Sequence, residues 1–192
     1  DVDLEQVRSY TSDGELEGVW AERADLPVDV TGRGFSPSDM LQSGDDLYVA
    51  DFATGRIHIH DAHDGAWLGE LFPWGQRFLE EPCALQSSGA NLLIVGNDTE
   101  NLVLVGPEGR LQSTIAGPKS NPPLARPHGL ARTGDQLVVA TSPDTMDSAR
   151  LQVWSLSSRQ WLGELGTREE LAVATDVISH DNGDLIVADW TG

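Results

Sequence analysis

Residues 37–61, PSDMLQSGDDLYVADFATGRIHIHD, contain the pattern that decides the fold of this 192-residue chain. A segment that begins at Pro37 is followed by a turn at residues 44–46 and by an apolar run at Leu47–Asp51. After a second turn, apolar and polar residues alternate over Arg56–His60. A period of two, with many β-branched and aromatic residues, is typical of strands. The stretch therefore predicts short antiparallel strands joined by tight turns, whose Gly and Asp residues tolerate a positive φ.

The same pattern recurs along the chain. Equivalent segments begin at Pro37, Pro82, Pro127 and Ala174, which are 45, 45 and 47 residues apart. The first three repeats each continue into a fourth predicted strand, and the pentapeptide Trp-Leu-Gly-Glu-Leu forms that strand in two of them, at residues 67–71 and 161–165. Four short strands at a period of about 45 residues match one blade of a β-propeller.

Two phrases resemble a known type of repeat. They are PHGLA followed by LVVAT, within residues 127–141, and PSDM followed by GDDLYVADFATGRIHIHD, within residues 37–61. The chain resembles NHL-type propeller repeats over roughly residues 37–192, and it departs from them at Gly96 and Thr141, where the family has Asp. The resemblance implies an all-β fold in which the innermost strand of each four-stranded blade lines a central channel.

We predict a single β-propeller domain over residues 1–192, divided into four blades. Three blades are complete, and the fourth is shared by the two ends of the chain: residues 1–36 supply its outer strands and a connection, and residues 174–192 supply its inner strands. The complete blades span residues 37–81, 82–126 and 127–173. Sharing a blade would close the ring and remove exposed sheet edges. The alternative is a fragment of a larger, six- or seven-bladed propeller.

The composition restricts the partners. The chain has 12 Lys and Arg against 31 Asp and Glu, a net charge of −19, which argues against nucleic acid because phosphate binding needs a basic surface. No apolar run approaches the roughly 18 residues of a membrane span. Cys83 is the only cysteine, so no internal disulfide forms. We expect a small molecule, a peptide or a protein as partner, and an exported or periplasmic location.

The starts of the innermost strands are the predicted site, because in a propeller they ring the mouth of the channel. His128 is the candidate catalytic acid or base. One imidazole and two carboxylates also suit a divalent cation (calcium, zinc or manganese), with Asp39, His128 and Asp176 as its ligands. The candidate ligand-binding residues are Ser38, Asp39, Cys83, Thr175, Phe52, Trp74 and Trp190. The structural alternative is that Asp39 and Asp176 cap backbone N–H groups at a turn.

The residues at the starts of the innermost strands also resemble, more distantly, the equivalent residues of propeller lyases of the peptidyl-hydroxyglycine amidating type. That resemblance implies a zinc ion held by histidines from several equivalent blade positions. Only His128 matches the pattern, and the three equivalent positions lack histidine.

Two further patterns carry expectations. His58 and His60 lie on one face of a strand and, with His63, could chelate a metal, but a solvated face is the favoured interpretation. Trp67 and Trp161 occupy equivalent positions in the repeated pentapeptide, and we expect both to be largely buried.

Three functions are compatible with this sequence. The favoured one is a binding or scaffold module that uses the long-loop face, the face on which we expect the long connections to open. Those connections are residues 21–36, 73–81, 116–126 and 166–173, with an insertion at 142–149. The alternative is a metal-dependent lyase or hydrolase with a site around His128, Asp39 and Asp176. A structural piece of a larger exported protein is the third, and the fold alone cannot choose among them.

Overall fold

The computed structural model describes residues 5–22, 26, 34–71, 79–142, 149–167 and 170–190. These residues form sixteen strands and no helix. In this part of the chain there is accordingly no helix that is long and apolar enough to cross a bilayer. The chain divides into two compact units, Asp1–Pro82 and Cys83–Gly192.

The first unit contains two antiparallel sheets. A two-stranded sheet pairs the first two strands of the chain, and a four-stranded sheet follows in simple sequential order. The strands are β1 (Gln6–Tyr10) and β2 (Leu16–Glu22) in the first sheet, and β3 (Pro37–Ser43), β4 (Asp46–Asp51), β5 (Arg56–Asp61) and β6 (Trp67–Glu70) in the second.

The second unit contains two four-stranded sheets and one two-stranded sheet, all antiparallel and sequential. The first sheet comprises β7 (Pro82–Ser88), β8 (Asn91–Gly96), β9 (Asn101–Val105) and β10 (Leu111–Ala116); the second comprises β11 (Pro127–Thr133), β12 (Gln136–Thr141), β13 (Arg150–Ser155) and β14 (Trp161–Leu165); the third comprises β15 (Ala174–Ser179) and β16 (Leu185–Asp189).

The predicted all-β architecture of four-stranded blades is confirmed. The first strands begin at the four residues that define the repeat, Pro37, Pro82, Pro127 and Ala174. The two-stranded sheets contain the strand pairs that the sequence predicts near the two ends of the chain. Closure of a ring through a shared blade, and the domain boundaries, stay predictions.

The middle strands form the core because sheet packing covers both of their faces. Leu93, Ile94 and Val95 of β8 and Val139 of β12 have no exposed surface. The sequence of a strand that is buried on both faces is a continuous apolar run, without alternation of apolar and polar residues. The second and third strands therefore supply most of the fully buried side chains, and residues of other strands and of connections, such as Val7, Ile115 and Leu124, complete the core.

The outermost strands are much less covered, and here one expectation is wrong. The equivalent indoles of Trp67 and Trp161 are 38% and 41% exposed, so they are not largely buried. An outermost strand pairs with a neighbour on one side only, which leaves its side chains open to solvent. The buried indole in this blade is that of Trp154 in β13, which is 2% exposed and pairs across the sheet with Trp161.

Candidate functional site

The second residue of the first strand occupies a bulge in three blades. The register between the first and second strands shifts after the first residue, between Pro37 and Asp39, Pro127 and Gly129, and Ala174 and Asp176. The extra residues are therefore Ser38, His128 and Thr175, all of which belong to the predicted site. A bulge bends the strand and redirects a side chain out of the regular ladder.

The hydroxyl and thiol side chains at these positions bond to backbone carbonyls. Ser38 Oγ lies 2.6 Å from the carbonyl oxygen of Pro82 and 3.2 Å from that of Ala50. Cys83 Sγ makes the equivalent contacts, 3.1 Å to the carbonyl of Pro127 and 3.6 Å to that of Val95. Each side chain thus links a first strand to the second strand of its blade, and in the second unit Cys83 also links β7 to the start of β11.

The third side chain of this kind, Thr175, also bonds to a backbone carbonyl, in this case within its own hairpin. Thr175 Oγ1 donates to the carbonyl of Ala188 across β15 and β16, at 3.1 Å. A nucleophilic hydroxyl or thiol needs a base within hydrogen-bond reach, whereas these side chains point their protons at carbonyl groups. Their observed role is structural, and their predicted role in ligand binding stays a prediction.

The two predicted carboxylates have matching local environments. Asp39 Oδ1 accepts the backbone N–H of Met40 at 2.7 Å, and Asp176 Oδ1 accepts that of Val177 at 2.8 Å. Asp176 is exposed, and Asp39 is partly exposed. This is the backbone-capping arrangement that the structural interpretation of the sequence predicts.

His128 lies in a partly buried, polar setting. Its Nδ1 is 3.5 Å from Nδ2 of Asn97, which also donates to the carbonyl of Pro127 at 3.0 Å. Burial, and secondly the positive charge of Arg126, lower the pKa of His128 below its ordinary value of 6.5. The imidazole is therefore neutral at pH 7, the form that accepts a proton or a hydrogen bond.

Asp176 approaches the residue that follows His128. A Cβ atom added to Gly129 would lie 2.6 Å from both Cα and Oδ1 of Asp176 and 2.8 Å from the backbone nitrogen of Val177. Only glycine allows this approach of β15 to β11. In the second unit, His128 and Asp176 thus lie on adjoining first strands.

The metal ligands predicted from the sequence do not form a recognisable cation site. Among the residues described, no three or more His, Cys, Asp or Glu side chains lie together as a metal would require. The divalent-cation site of Asp39, His128 and Asp176 stays a prediction.

The predicted aromatic contacts differ in exposure. Trp190 is 68% exposed, whereas Phe52 is only partly exposed and its backbone N–H donates to the carbonyl of Ser36 at 2.9 Å. Trp74 lies outside the described residues. Trp190 is therefore the described aromatic residue of the set that is most accessible to a partner.

The first unit contains a buried polar network that the sequence pattern does not predict. Nε2 of His58 lies 3.3 Å from Oδ2 of Asp51, and their side chains are 2% and 1% exposed. Thr54 Oγ1 donates to the same carboxylate, and the backbone N–H of Ser36 donates to its Oδ1 at 3.0 Å. The ring of Phe35 meets the imidazole edge-on, with centroids 5.7 Å apart.

The favoured interpretation of His58 and His60 as a solvated face is therefore wrong. His60 is 1% exposed, and its Nδ1 is 3.0 Å from the carbonyl of Gly65. A third strand lies between two neighbours within its sheet, and packing covers both faces. The available signal is the spacing: β4 and β5 pair Val49 with His58, which places Asp51 diagonally across the hairpin from the imidazole.

The pKa of Asp51 reflects opposing effects. Burial raises it, but the hydrogen bonds from His58, Thr54 and the Ser36 N–H lower it more, so its pKa lies below the ordinary value of 3.8. The carboxylate is thus ionised at neutral pH although it is buried. This network holds the segment before β3 against the end of β4.

Comparison with solved structures gives the class of fold. The chain is similar to a structure in the nidogen/laminin complex, with a TM-score of 0.73 and 18% identity over 99% of this chain and 66% of that one. It is similar to a catalytically inactive virginiamycin B lyase from Staphylococcus aureus with quinupristin, with a TM-score of 0.69 and 14% identity over 98% and 58%. It is also similar to the Pan2 WD40 domain of Neurospora crassa, with a TM-score of 0.61 and 14% identity over 98% of this chain and 55% of that one.

These neighbours are β-propellers, and this chain has a β-propeller fold. It spans between about half and two thirds of the length of each of the three. The sequence matches no protein-family model and no curated protein. At such low identities the likeness establishes the fold and leaves the activity to be argued from the residues.

Proposed function

We propose that this protein is a binding or scaffold module that recognises a small molecule, a peptide or a protein at the first-strand starts, on the long-loop face at the central channel. The observation that carries the proposal is the hydrogen bonding of Ser38, Cys83 and Thr175 to backbone carbonyls. These bonds fix each of the three side chains locally and leave no activated nucleophile among them. In the second unit, His128 and Asp176 are the proposed polar contacts of a ligand, and Trp190 is an exposed apolar one.

The neighbours are compatible with this role. One of them lies in a complex between nidogen and laminin, and another is a WD40 domain. The blades are proposed to be of the NHL type on the residues quoted above. An exported or periplasmic location also stays a proposal.

The test is a ¹⁵N–¹H NMR screen of the wild-type protein against a library of small molecules and short peptides. We expect hits to shift the backbone signals of His128, Thr175 and Asp176, and His128→Ala to abolish those shifts. His63→Ala is the control because that imidazole is 74% exposed on a turn of the other unit. Hits that bind equally well to the His128 variant would contradict the proposed site.

The second candidate is the metal-dependent lyase or hydrolase, and one observation favours it. The lowered pKa of His128 keeps the imidazole neutral, as both a metal ligand and a general base require. One structural neighbour is itself a lyase. Thermal melting with calcium, zinc or manganese distinguishes the candidates, because a cation that binds only the folded state raises the melting temperature. A rise that is lost in Asp39→Asn, His128→Ala and Asp176→Asn would favour the enzyme over the binding module.

A further inference from the structure

A small open pocket lies in the second unit, on the outer strands of a blade. Its volume is about 350 Å³, at the lower end of the range of roughly 300–1,000 Å³ for small-molecule sites. Its lining comes from the connection between β10 and β11, the turn between β13 and β14, and those two strands: Ser120, Asn121, Trp154, Arg159, Gln160 and Trp161.

The wall formed by the connection is fixed by hydrogen bonds. The backbone N–H of Leu124 donates to the carbonyl of Gly117 at 3.1 Å, and the N–H of Gly117 donates to Ser120 Oγ at 2.9 Å. Leu124 is fully buried, and Nε2 of Gln152 donates to the carbonyl of Pro123 at 3.1 Å. Asn121 is therefore held in a loop that is anchored on both sides.

The wall formed by the turn is fixed in the same way. The N–H of Ser155 donates to the carbonyl of Gln160, and the N–H of Arg159 donates to the carbonyl of Ser155, each at 2.9 Å. The carboxylate of Asp135 accepts the Ser155 hydroxyl at 2.7 Å and the Ser157 N–H at 2.9 Å. A pocket whose walls are already ordered pays little conformational entropy when a ligand binds.

The polar groups inside the pocket are available to a ligand. In the described part of the chain, the side chains of Asn121, Arg159 and Gln160 make no hydrogen bond or ion pair. The indole of Trp161 is 41% exposed. One aromatic surface is thus bordered by two carboxamides, each both donor and acceptor, and by a guanidinium donor.

We propose that this pocket binds a neutral pyranose ring of a saccharide. The C–H face of such a ring packs on an indole, and its hydroxyl groups, which both donate and accept, match the carboxamides of Asn121 and Gln160. A proline-rich peptide fits less well. The grooves of domains that bind such peptides are lined by several aromatic side chains, whereas this pocket offers one exposed indole. The net charge of −19 disfavours an anionic sugar.

The repeated pentapeptide supplies a matched control. Trp67 stands in the same sequence as Trp161 and is 38% exposed, but its cross-strand partner is His60 instead of Trp154. Trp67→Ala removes an equivalent indole from the other unit. Any effect that is specific to Trp161→Ala therefore belongs to the pocket.

The experiment is isothermal titration calorimetry with maltotriose, cellotriose, xylotriose and triacetylchitotriose. We expect at least one to bind with a Kd of about 1 mM or tighter. Trp161→Ala should weaken that binding at least about tenfold, Asn121→Ala about threefold to tenfold, and Trp67→Ala not at all. Trp161→Phe keeps an aromatic face and should lose less affinity than Trp161→Ala, which separates loss of stacking from loss of folding.

Several results would overturn the proposal. They are no binding of any of the four trisaccharides, an unchanged Kd in Trp161→Ala, tighter binding of trigalacturonic acid than of the neutral sugars, or binding of decaproline in their place. The pocket shares no residue with the first-strand starts, so its failure leaves the proposed function untouched.

Discussion

The carboxylate of Asp51 and the imidazole of His58 meet at 3.3 Å in the interior of the first unit, with 1% and 2% of their side chains exposed. Each belongs to a different strand of one hairpin, and the carboxylate also holds the backbone before β3 through the N–H of Ser36. The equivalent Asp189 of β16 holds the backbone before β15 through the N–H groups of Ala172 and Val173, but it is exposed. Because the two equivalent aspartates make similar bonds but differ in burial, comparing them shows how much burial adds to the stability that these bonds provide.

Asp51→Asn should therefore destabilise the protein more than Asp189→Asn. Loss of a charged acceptor leaves His58 and Thr54 with weaker partners in a buried site, at a cost of about 2–3 kcal/mol, whereas the exposed equivalent should lose about 0.5–1 kcal/mol. The free energy of unfolding from urea titration at pH 7 measures both. Equal losses would show that burial of the Asp51 network adds nothing to stability.

The Asp51 network also predicts an acid-sensitive fold. The pKa of Asp51 is lower in the folded protein than the ordinary 3.8, so its stabilisation is complete above about pH 4 and is lost as the pH falls through the folded pKa. Urea titrations at decreasing pH should show this decline, with a shallower slope in Asp51→Asn. An identical pH profile in the variant would contradict a depressed pKa.

His128 should titrate below pH 6.5 in NMR spectra of its imidazole. Burial and the charge of Arg126 both oppose protonation, so Arg126→Gln should raise the pKa of His128 while Arg132→Gln leaves it unchanged. As the pH falls below about 6.5, the unfolded chain then binds more protons than the folded one, so the titration of His128 lowers the free energy of unfolding over that range. A pKa above 7 would contradict the neutral imidazole on which the metal-dependent candidate rests.

Gly129→Ala should be destabilising because the new methyl group would lie 2.6 Å from Cα of Asp176. Backbone atoms cannot yield as a flexible side chain does, and a cost of about 1–3 kcal/mol is expected from overpacking. Gly18→Ala is the control, since no atom lies within 4 Å of a Cβ there. Thermal melting of both variants tests whether β11 and β15 approach as closely as described.

Trp154→Ala and Trp161→Ala should differ although the two indoles pair across one sheet. Trp154 is 2% exposed and its loss should cost about 3–5 kcal/mol, whereas Trp161 is 41% exposed and its loss should cost about 1–2 kcal/mol. Chemical denaturation provides both values. A larger loss at Trp161 would mean that the register of β13 and β14 is different.

The local pattern was sufficient to predict the strands. Alternation, turn residues and the repeat at Pro37, Pro82, Pro127 and Ala174 are properties of short segments, and each first strand begins where they predict. The equivalent positions at the starts of the first strands could be identified at the same level, because a repeat aligns them, and their role as a site stays a prediction. The capping of the peptide bonds by Asp39 and Asp176 is likewise a local interaction between neighbouring residues.

The surroundings of individual side chains depended on tertiary structure. His58 has the sequence environment of a half-exposed strand, yet it is buried because packing covers both faces of that strand. Trp161 is a large aromatic residue of the kind expected in a core, yet its indole is partly exposed because its strand is outermost in the sheet. Asn121 lines the same pocket as that indole but comes from a separate connection. Sequence periodicity records which residues share a face of a strand, whereas the packing of one strand or loop against another decides whether that face is covered.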